Sequence, residues 1–371
     1  MSQQSNTRPA HLLLEDGTLF TGRSFGKIGT TGGELCFTTG MTGYQEIFTD
    51  PSYTGQMLIM STAYVGNYGV NGVDVESGKV TINGLICKNI TARYSRMLAT
   101  GSLEDYLLQH EKVGIQDVDT RALVQHVRTK GAMNCIISSE NADVAELREA
   151  LKKIPSMKGL EISSAITTKE PYAVGDEHAA IRIAVLDFGI KSHILKNFEQ
   201  RGAYLKVFPA KTGLAELKAF NPNGIFISNG PGDPAAMGYA VETVKEIIAA
   251  GIPLFGICLG NQLLALANGV GTFKMHHGHR GLNHPVKNLV KGTCEITTQN
   301  HGFGIDPESA RANPELEITH VNLNDNSIEG IRMKSKPAFS VQYHPESTPG
   351  PYDSRYLFDQ FIDLIKQHDG L

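Results

Sequence analysis

Residues 252–268 read IPLFGICLGNQLLALAN. The stretch opens as an apolar strand and closes as an apolar helix. Between them stands Cys258, with Gly256 and Gly260 two residues to either side. A cysteine that only packs has no need of this corner, so its position requires a reason. The G-x-nucleophile-x-G spacing is that of a sharp strand-to-helix turn that lifts a reactive side chain to the rim of a sheet. Glycine suits both flanking positions because a side chain there collides with neighbouring backbone. The turn also sets the sulfur at a helix N-terminus, whose partial positive charge suits an anion. The competing reading is a buried cysteine acting as a small hydrophobe.

Working outward from this corner, residues 181–260 alternate strand-like and helix-like runs. RIAVLDFG is followed by KSHILKNFEQRG, AYLKVFPA, GIFISNGPGDP, YAVETVKEIIAAG and IPLFGICLG. Apolar strands alternating with helices predict an α/β fold: an open, mostly parallel sheet flanked by helices. Ligands of such sheets bind beyond the carboxyl ends of the strands, which directs attention to the loops after Val185, Ile227 and Ile257. Residues 11 to about 140 are instead strand-rich, with a hairpin signal at Asp16-Gly17 and a helix expected between Asp119 and Gly131. These features predict a strand-rich α+β N-terminal domain over 1–150, a linker over 151–180 and the α/β domain over 181–371.

Composition narrows the function classes. The 371 residues are 41% hydrophobic and 19% charged, a globular balance long enough for two domains. A net charge of −4, without blocks of like charge, gives no pull toward nucleic acid or an anionic membrane. The opening MSQQSNTRPA lacks an apolar secretory core, and Asn261 and Gln262 interrupt the longest apolar run. Five scattered cysteines without a C-x-x-C argue against a disulfide framework and a zinc site. The expectation is a reduced, cytoplasmic protein in which Cys36, Cys87, Cys135 and Cys294 pack in strands.

A nucleophilic thiol needs a group to take and return protons. In SVQYHPES, residues 340–347, Pro345 biases His344 toward extended backbone, and residues two apart on extended chain share a side. Glu346 is thereby placed to accept a hydrogen bond from one ring nitrogen of His344 while the other faces Cys258, the logic of a triad. SNGPGDP, residues 228–234, supplies a tight loop whose N–H groups, with that of Leu259, suit an oxyanion. His276, His277, His279 and His284 cluster in sequence but have no acidic or cysteine ligand close by, so no metal is expected there.

GICLGNQ, SNGPGDP and HPE, in this order, resemble the cysteine, oxyanion-loop and His-Glu motifs of the class I, triad-type glutamine amidotransferases. GELCFTTGMTGYQEIFTDPSYTGQ, DFGIKSHIL, GHRGLNHPV, TTQNHGFGID and QYHPESTPGP extend the likeness over nearly the whole chain, leaving out the first ten residues and 141–180. In this wider set the chain resembles the small, glutamine-hydrolysing chains of carbamoyl-phosphate synthetases. The resemblance implies that Cys258 attacks the side-chain amide of glutamine, that His344 serves as acid and then base, and that Glu346 orients His344. It implies glutamine held by Ser52, Gly230, Gly232, Leu259, Gln262, Asn300, Gly302 and Phe303, at a junction of the two domains. Lys191 matches the family's lysine after the DFG loop and is left out of the catalytic set. Asn261 stands where family members often carry histidine.

The chain lacks a phosphate-binding G-x-x-x-x-G-K-[ST] loop and a dinucleotide fingerprint after a strand. No cofactor is therefore expected on this chain. The resemblance assigns ATP and Mg to a large partner chain, which joins the delivered ammonia to bicarbonate. Three other readings stand beside it: a glutaminase serving another synthetase, a catalytically silent scaffold and, more weakly, a cysteine peptidase. MTGYQEIFTDPSY speaks against the first, and the intact Cys258, His344 and Glu346 speak against the second.

Overall fold

The computed structural model describes residues 8–370, so the first seven residues of the polar opening stretch lie outside the described residues. The chain divides between Met157 and Lys158 into two compact units, each described here by itself.

The first unit is a closed seven-stranded barrel, a more specific outcome than the strand-rich α+β domain expected. Its strands are β1 (Pro9–Leu14), β2 (Leu19–Gly26), β3 (Thr30–Thr38), β4 (Gln56–Met60), β5 (Gly84–Ile86), β6 (Val113–Gln116) and β7 (Asn134–Ser138), in the spatial order β1-β2-β6-β5-β4-β3-β7. The Asp16-Gly17 signal is the β1–β2 hairpin, with Gly17 at φ 90°. β7 then pairs with both β1 and β3, which closes the barrel and leaves no free edge. Side-chain alternation sorts the strands into two cores. Leu12, Leu14, Leu35, Phe37, Met57 and Ile59 gather with Leu123 and Val127, while their neighbours Cys36, Leu58 and Met60 join a second cluster. Leu123 and Val127 belong to the helix Thr120–Lys130, capped by the Asp119 side chain and ended by Gly131, as its sequence signals predict.

The second unit is built on one ten-stranded sheet. Its strands are β8 (Tyr172–Val174), β9 (Ile181–Asp187), β10 (Ala203–Pro209), β11 (Gly224–Ile227), β12 (Leu254–Ile257), β13 (Thr272–Asn288), β14 (Cys294–Ile305), β15 (Leu316–Asn322), β16 (Ile328–Met333) and β17 (Ala338–Val341). The order is β14-β13-β15-β16-β17-β12-β11-β9-β10-β8. The five strands β17, β12, β11, β9 and β10 run parallel. The remaining pairings among the described residues are antiparallel, so the expectation of a mostly parallel sheet holds for the centre and fails for the flanks. The long β13–β14 hairpin and the β15–β16 pair have no intervening helix, and antiparallel neighbours need none.

The stretch 151–180, expected as a linker, is built into these units. It carries the helix Ser163–Ile166, and its β8 adds an antiparallel edge to β10. A backbone bridge also joins Glu161 to Gly232. Its polar composition reflects an edge position: Tyr172 and Ala173 are exposed.

Alternation explains why the central strands are apolar throughout. Ala184, Leu186, Ile225, Ile227 and Leu254 pack on one face against Val244 and Ile247 of the helix Gly238–Ala250 and Leu263 and Leu264 of the helix Leu259–Ala267. Ile183, Val185, Phe226, Phe255 and Ile257 pack on the other against the helices Ser192–Glu199 and Tyr356–Asp369. Phe358 is fully buried on that second face, with its ring edge-on to Phe198 at 4.9 Å and to Phe255 at 6.2 Å between centroids. Phe358→Ala is expected to cost roughly 3–5 kcal/mol, from lost burial plus the cavity left behind. The check is a downward shift in the urea midpoint of the second unit, with the barrel's transition unmoved.

Candidate active site

Cys258 directly follows β12 and holds the N-cap position of the helix Leu259–Ala267 with φ 55° and ψ −100°, a conformation an L-residue adopts only under constraint. Three features impose it. The Cys258 N–H donates to Val341 O at 2.9 Å, which ties the corner to β17. A Cβ on Gly256 would lie 2.7 Å from the carbonyl carbon and oxygen of Gly260. One on Gly260 would lie 2.4 Å from Ile227 O. Both glycines of the motif are therefore required by backbone contact, as the spacing predicts. The thiol is 3% exposed and reaches Asn300 O at 3.7 Å.

β17 leads directly to the partner residues. The His344 N–H donates to Thr298 O at 2.8 Å, which pins the segment to β14. His344 Nδ1 meets Glu346 Oε1 at 2.8 Å, and both residues are buried. Nδ1 is the proton donor here, because a carboxylate accepts. His344 Nε2 makes no well-directed hydrogen bond, yet the Cys258 side chain lies close enough to favour the ring's charged form. Burial by itself disfavours a charged ring; Glu346 and Cys258 outweigh it and raise the His344 pKa. Burial likewise opposes a charged Glu346, but Lys191 and His344 together hold its carboxyl well below the ordinary range.

Lys191 is the residue that sequence reasoning set aside. Its Nζ lies 2.8 Å from Glu346 Oε1 and donates to Thr348 O at 3.0 Å, with the side chain 3% exposed. The DFG loop delivers it there. Asp187 Oδ1 accepts the N–H groups of Gly189 and Ile190 at 2.8 Å, and Asn229 bonds both Gly189 O and the Lys191 N–H. The loops after β9 and β11 are thus stitched together beneath the carboxylate. The signal for Lys191 was its place at the carboxyl end of the first central strand.

The other expected residues fall into three groups. Gly230 adjoins the elbow: a Cβ there would come within 2.2 Å of Phe188 O and 3.0 Å of Leu259 Cδ2. Gly232, at φ 101°, is bridged to Glu161. Asn300, Gly302 and Phe303 share β14, and Gln262 Nε2 reaches across to Phe303 O at 2.9 Å. Gln262 is thereby fastened to that strand, and its Nε2 also contacts Gln342 Oε1 at 3.1 Å. Asn261 serves the same network, bonding Gln342 at 3.2 Å and accepting from Ser340 Oγ at 2.8 Å. Ser340 and Gln342 lie inside the SVQYHPES stretch, but no role was expected of them. Ser52 belongs to the first unit, in a short turn where its N–H donates to Asp50 Oδ1 at 2.9 Å.

Of the four sequence-clustered histidines, only His279 joins a group with metal-ligand separations among the described residues. It does so with His301 and Glu329. A surface depression lined by Lys291, Arg332, Lys336, Tyr356 and Asp363 lies beside the N-terminal end of β17 and contains none of the residues above. Among the described residues no helix is long and apolar enough to cross a membrane.

Comparison with known proteins adds two family matches. The family "Glutamine amidotransferase class-I" matches residues 184–364, and "Carbamoyl-phosphate synthase small chain, CPSase domain" matches residues 12–137. Among curated proteins, the carbamoyl phosphate synthase small chain of Chlorobaculum tepidum is 47% identical over 97% of this chain and 98% of its own. That of Syntrophotalea carbinolica is 46% identical over 97% and 98%. The Vibrio vulnificus protein is 45% identical over 98% and 99%.

The buried pair makes stability depend on pH with a defined sign. A raised histidine pKa contributes fully below the ring's ordinary 6.5 and is lost as pH climbs through the folded value. A lowered carboxyl pKa contributes fully above the ordinary 4.5 and is lost as pH falls toward the folded value. The joint contribution is therefore complete between about pH 4.5 and 6.5 and declines on both sides. Glu346→Gln is expected to flatten both limbs in urea midpoints measured from pH 3 to 10. Unchanged limbs would show that other groups set the profile.

Proposed function

Because this chain belongs to the carbamoyl phosphate synthase small chains, we infer that Cys258, His344 and Glu346 are the machinery of its glutamine hydrolysis. The family makes the chain a glutamine amidotransferase, an enzyme that releases ammonia for the synthesis of carbamoyl phosphate. The observation that carries the residue assignment is the thiol at a strained elbow beside a histidine whose far nitrogen is bound to a buried carboxylate.

In this reading His344 Nε2 takes the thiol proton as Cys258 Sγ attacks the amide carbon of the glutamine side chain, and the carbonyl π electrons move to oxygen. The Leu259 N–H and the loop at Gly230 receive the oxyanion. As the tetrahedral intermediate collapses, the C–N bond breaks and His344 gives a proton to the leaving nitrogen, so ammonia departs and a γ-glutamyl thioester remains. Water then attacks the thioester as His344 takes its proton. Sγ leaves and is reprotonated, and glutamate is released. Glu346 fixes the ring so that Nε2 faces sulfur throughout, and Lys191 keeps Glu346 ionised. Ser52, Gly230, Gly232, Leu259, Gln262, Asn300, Gly302 and Phe303 are proposed to hold glutamine.

The partner is a large ATP-dependent chain, as the relatives' designation as small chains suggests. ATP and Mg belong to that chain, which receives the ammonia and combines it with bicarbonate. The assembly is proposed to work in the cytoplasm.

Glutamate release, measured with and without the large chain, ATP and bicarbonate, tests this. Release is expected to rise in the complete mixture and to fall by about 10³-fold or more in Cys258→Ser. Glu346→Gln is expected to lose roughly 10²–10⁴-fold in kcat, because the ring loses its orientation and its charge. Lys191→Met is expected to lower kcat and to shift its pH profile, since it removes the cation that keeps Glu346 ionised. A wild-type chain that binds the large chain yet releases no glutamate under any condition would be a scaffold instead.

A further inference from the structure

The face of β13 and β14 that carries His279 and His301 holds a second constellation, which the proposed hydrolysis does not use. His279 pairs with His301 across the two strands, so both rings lie on one face, opposite the face of Asn300 and Arg280. β16 brings Glu329, fully buried, against them. His279 Nδ1 lies 3.4 Å from Glu329 Oε1, His301 Nε2 lies 3.9 Å from the same oxygen, and the three ligand atoms are within 4.8 Å of one another.

The outer nitrogens decide what the inner ones offer. His301 Nδ1 sits 2.8 Å from Phe303 O, and a carbonyl only accepts, so Nδ1 carries the hydrogen. With the hydrogen on Nδ1, the neutral ring presents a bare lone pair at Nε2. That lone pair faces Gln299 Oε1 at 3.3 Å and the Glu329 carboxylate, acceptors both. Turning the Gln299 amide supplies a donor to Nε2 but sets it against the Asn322 amide nitrogen, now 3.4 Å from Gln299 Oε1. His279 Nε2 donates to Asp325 Oδ2 at 2.9 Å, which leaves Nδ1 as its inward atom. Glu329 Oε2 is buried without any hydrogen bond. Two imidazoles, each with its outer N–H held by an oxygen and its inner nitrogen turned to a carboxylate, form the pattern of metal-binding histidines and their supporting shell.

We propose that His279 Nδ1, His301 Nε2 and Glu329 bind one divalent cation of the zinc class, with Asp325 and Phe303 O orienting the two rings. Two nitrogens and a carboxylate oxygen suit zinc rather than magnesium or calcium, which take oxygen ligands. Zinc bonds of this type separate tetrahedral ligand atoms by about 3.3 Å. The His279–Glu329 pair already stands at 3.4 Å and the His301–Glu329 pair at 3.9 Å. The His284 ring, 5.2 Å from that of His279 with its Nδ1 buried and unbonded, is the nearest further nitrogen donor. The ion pins β13, β14 and β16 together, on the face of β14 opposite Asn300.

The test is titration of the full chain with Co²⁺ alone, then displacement by Zn²⁺, in a Cys258→Ser background so that the elbow thiol takes no metal. The expected result is one cobalt per chain with the intense visible bands of a tetrahedral site, bleached by zinc. Glu329→Gln is expected to abolish the bands. Asp325→Asn, a change at a half-exposed side chain, is expected to weaken cobalt binding roughly ten- to hundredfold while leaving the fold intact. No bands at pH 7.5, or binding unmoved by Asp325→Asn, overturns the proposal and leaves a proton on His279, shared between Asp325 and Glu329, as the charge that occupies the cluster.

Discussion

The second unit depends on one backbone constraint, the left-handed corner at Cys258. Holding a non-glycine residue at positive φ costs of order 1–3 kcal/mol, so the neighbouring structure must over-determine it. Val341 O captures the N–H, and Gly256, Gly260 and Ile227 meet at distances that admit no Cβ. The β12–β17 and β11–β12 pairings, parallel and buried on both faces, keep these backbones in register. The strain therefore rests on the best-packed part of the sheet.

The same geometry sets the electrostatics. His344 lies just beyond the end of β17, adjacent to β12, so the shortest route from sulfur to imidazole runs between neighbouring strands. Glu346 follows two residues later, and Lys191 arrives from the loop after β9. Thiol, ring, carboxylate and ammonium form one chain of alternating character with almost no water contact. Removing the ammonium alone leaves a buried carboxylate facing a single partner, an arrangement that is costly in a low-dielectric interior.

Much of this was legible in the chain itself, for physical reasons. The glycine spacing around Cys258 reports a steric requirement that survives in the structure; HPE does bring carboxylate and ring together, but through a turn closed by the Ser347 N–H on His344 O rather than along extended backbone. The Asp119 and Gly131 caps did the same for a helix of the barrel. What escaped was non-local. Closure of the barrel depends on β7 meeting both β1 and β3, and no segment encodes that alone. The antiparallel flank was hidden because β13 to β16 lack the strand–helix alternation from which a parallel sheet was inferred. The 151–180 segment looked like a linker because an edge strand and its turns are as polar as one. Lys191, Ser340 and Gln342 act through partners more than 70 positions away, and Glu329 joins His279 only through the order of the sheet.

The stitching of the loops after β9 and β11 to the HPE segment has a consequence for biosynthesis. A ribosome makes the elbow long before it makes the histidine, and Lys191 earlier still. Between those moments the nascent chain carries Cys258 without His344 and Glu346. In the proposed hydrolysis, the thiol meets its base only after β17 has docked beside β12 and drawn His344 and Glu346 into place. On that proposed assignment, nitrogen release is withheld from every partly made chain, and completion of the fold is the switch that arms the enzyme.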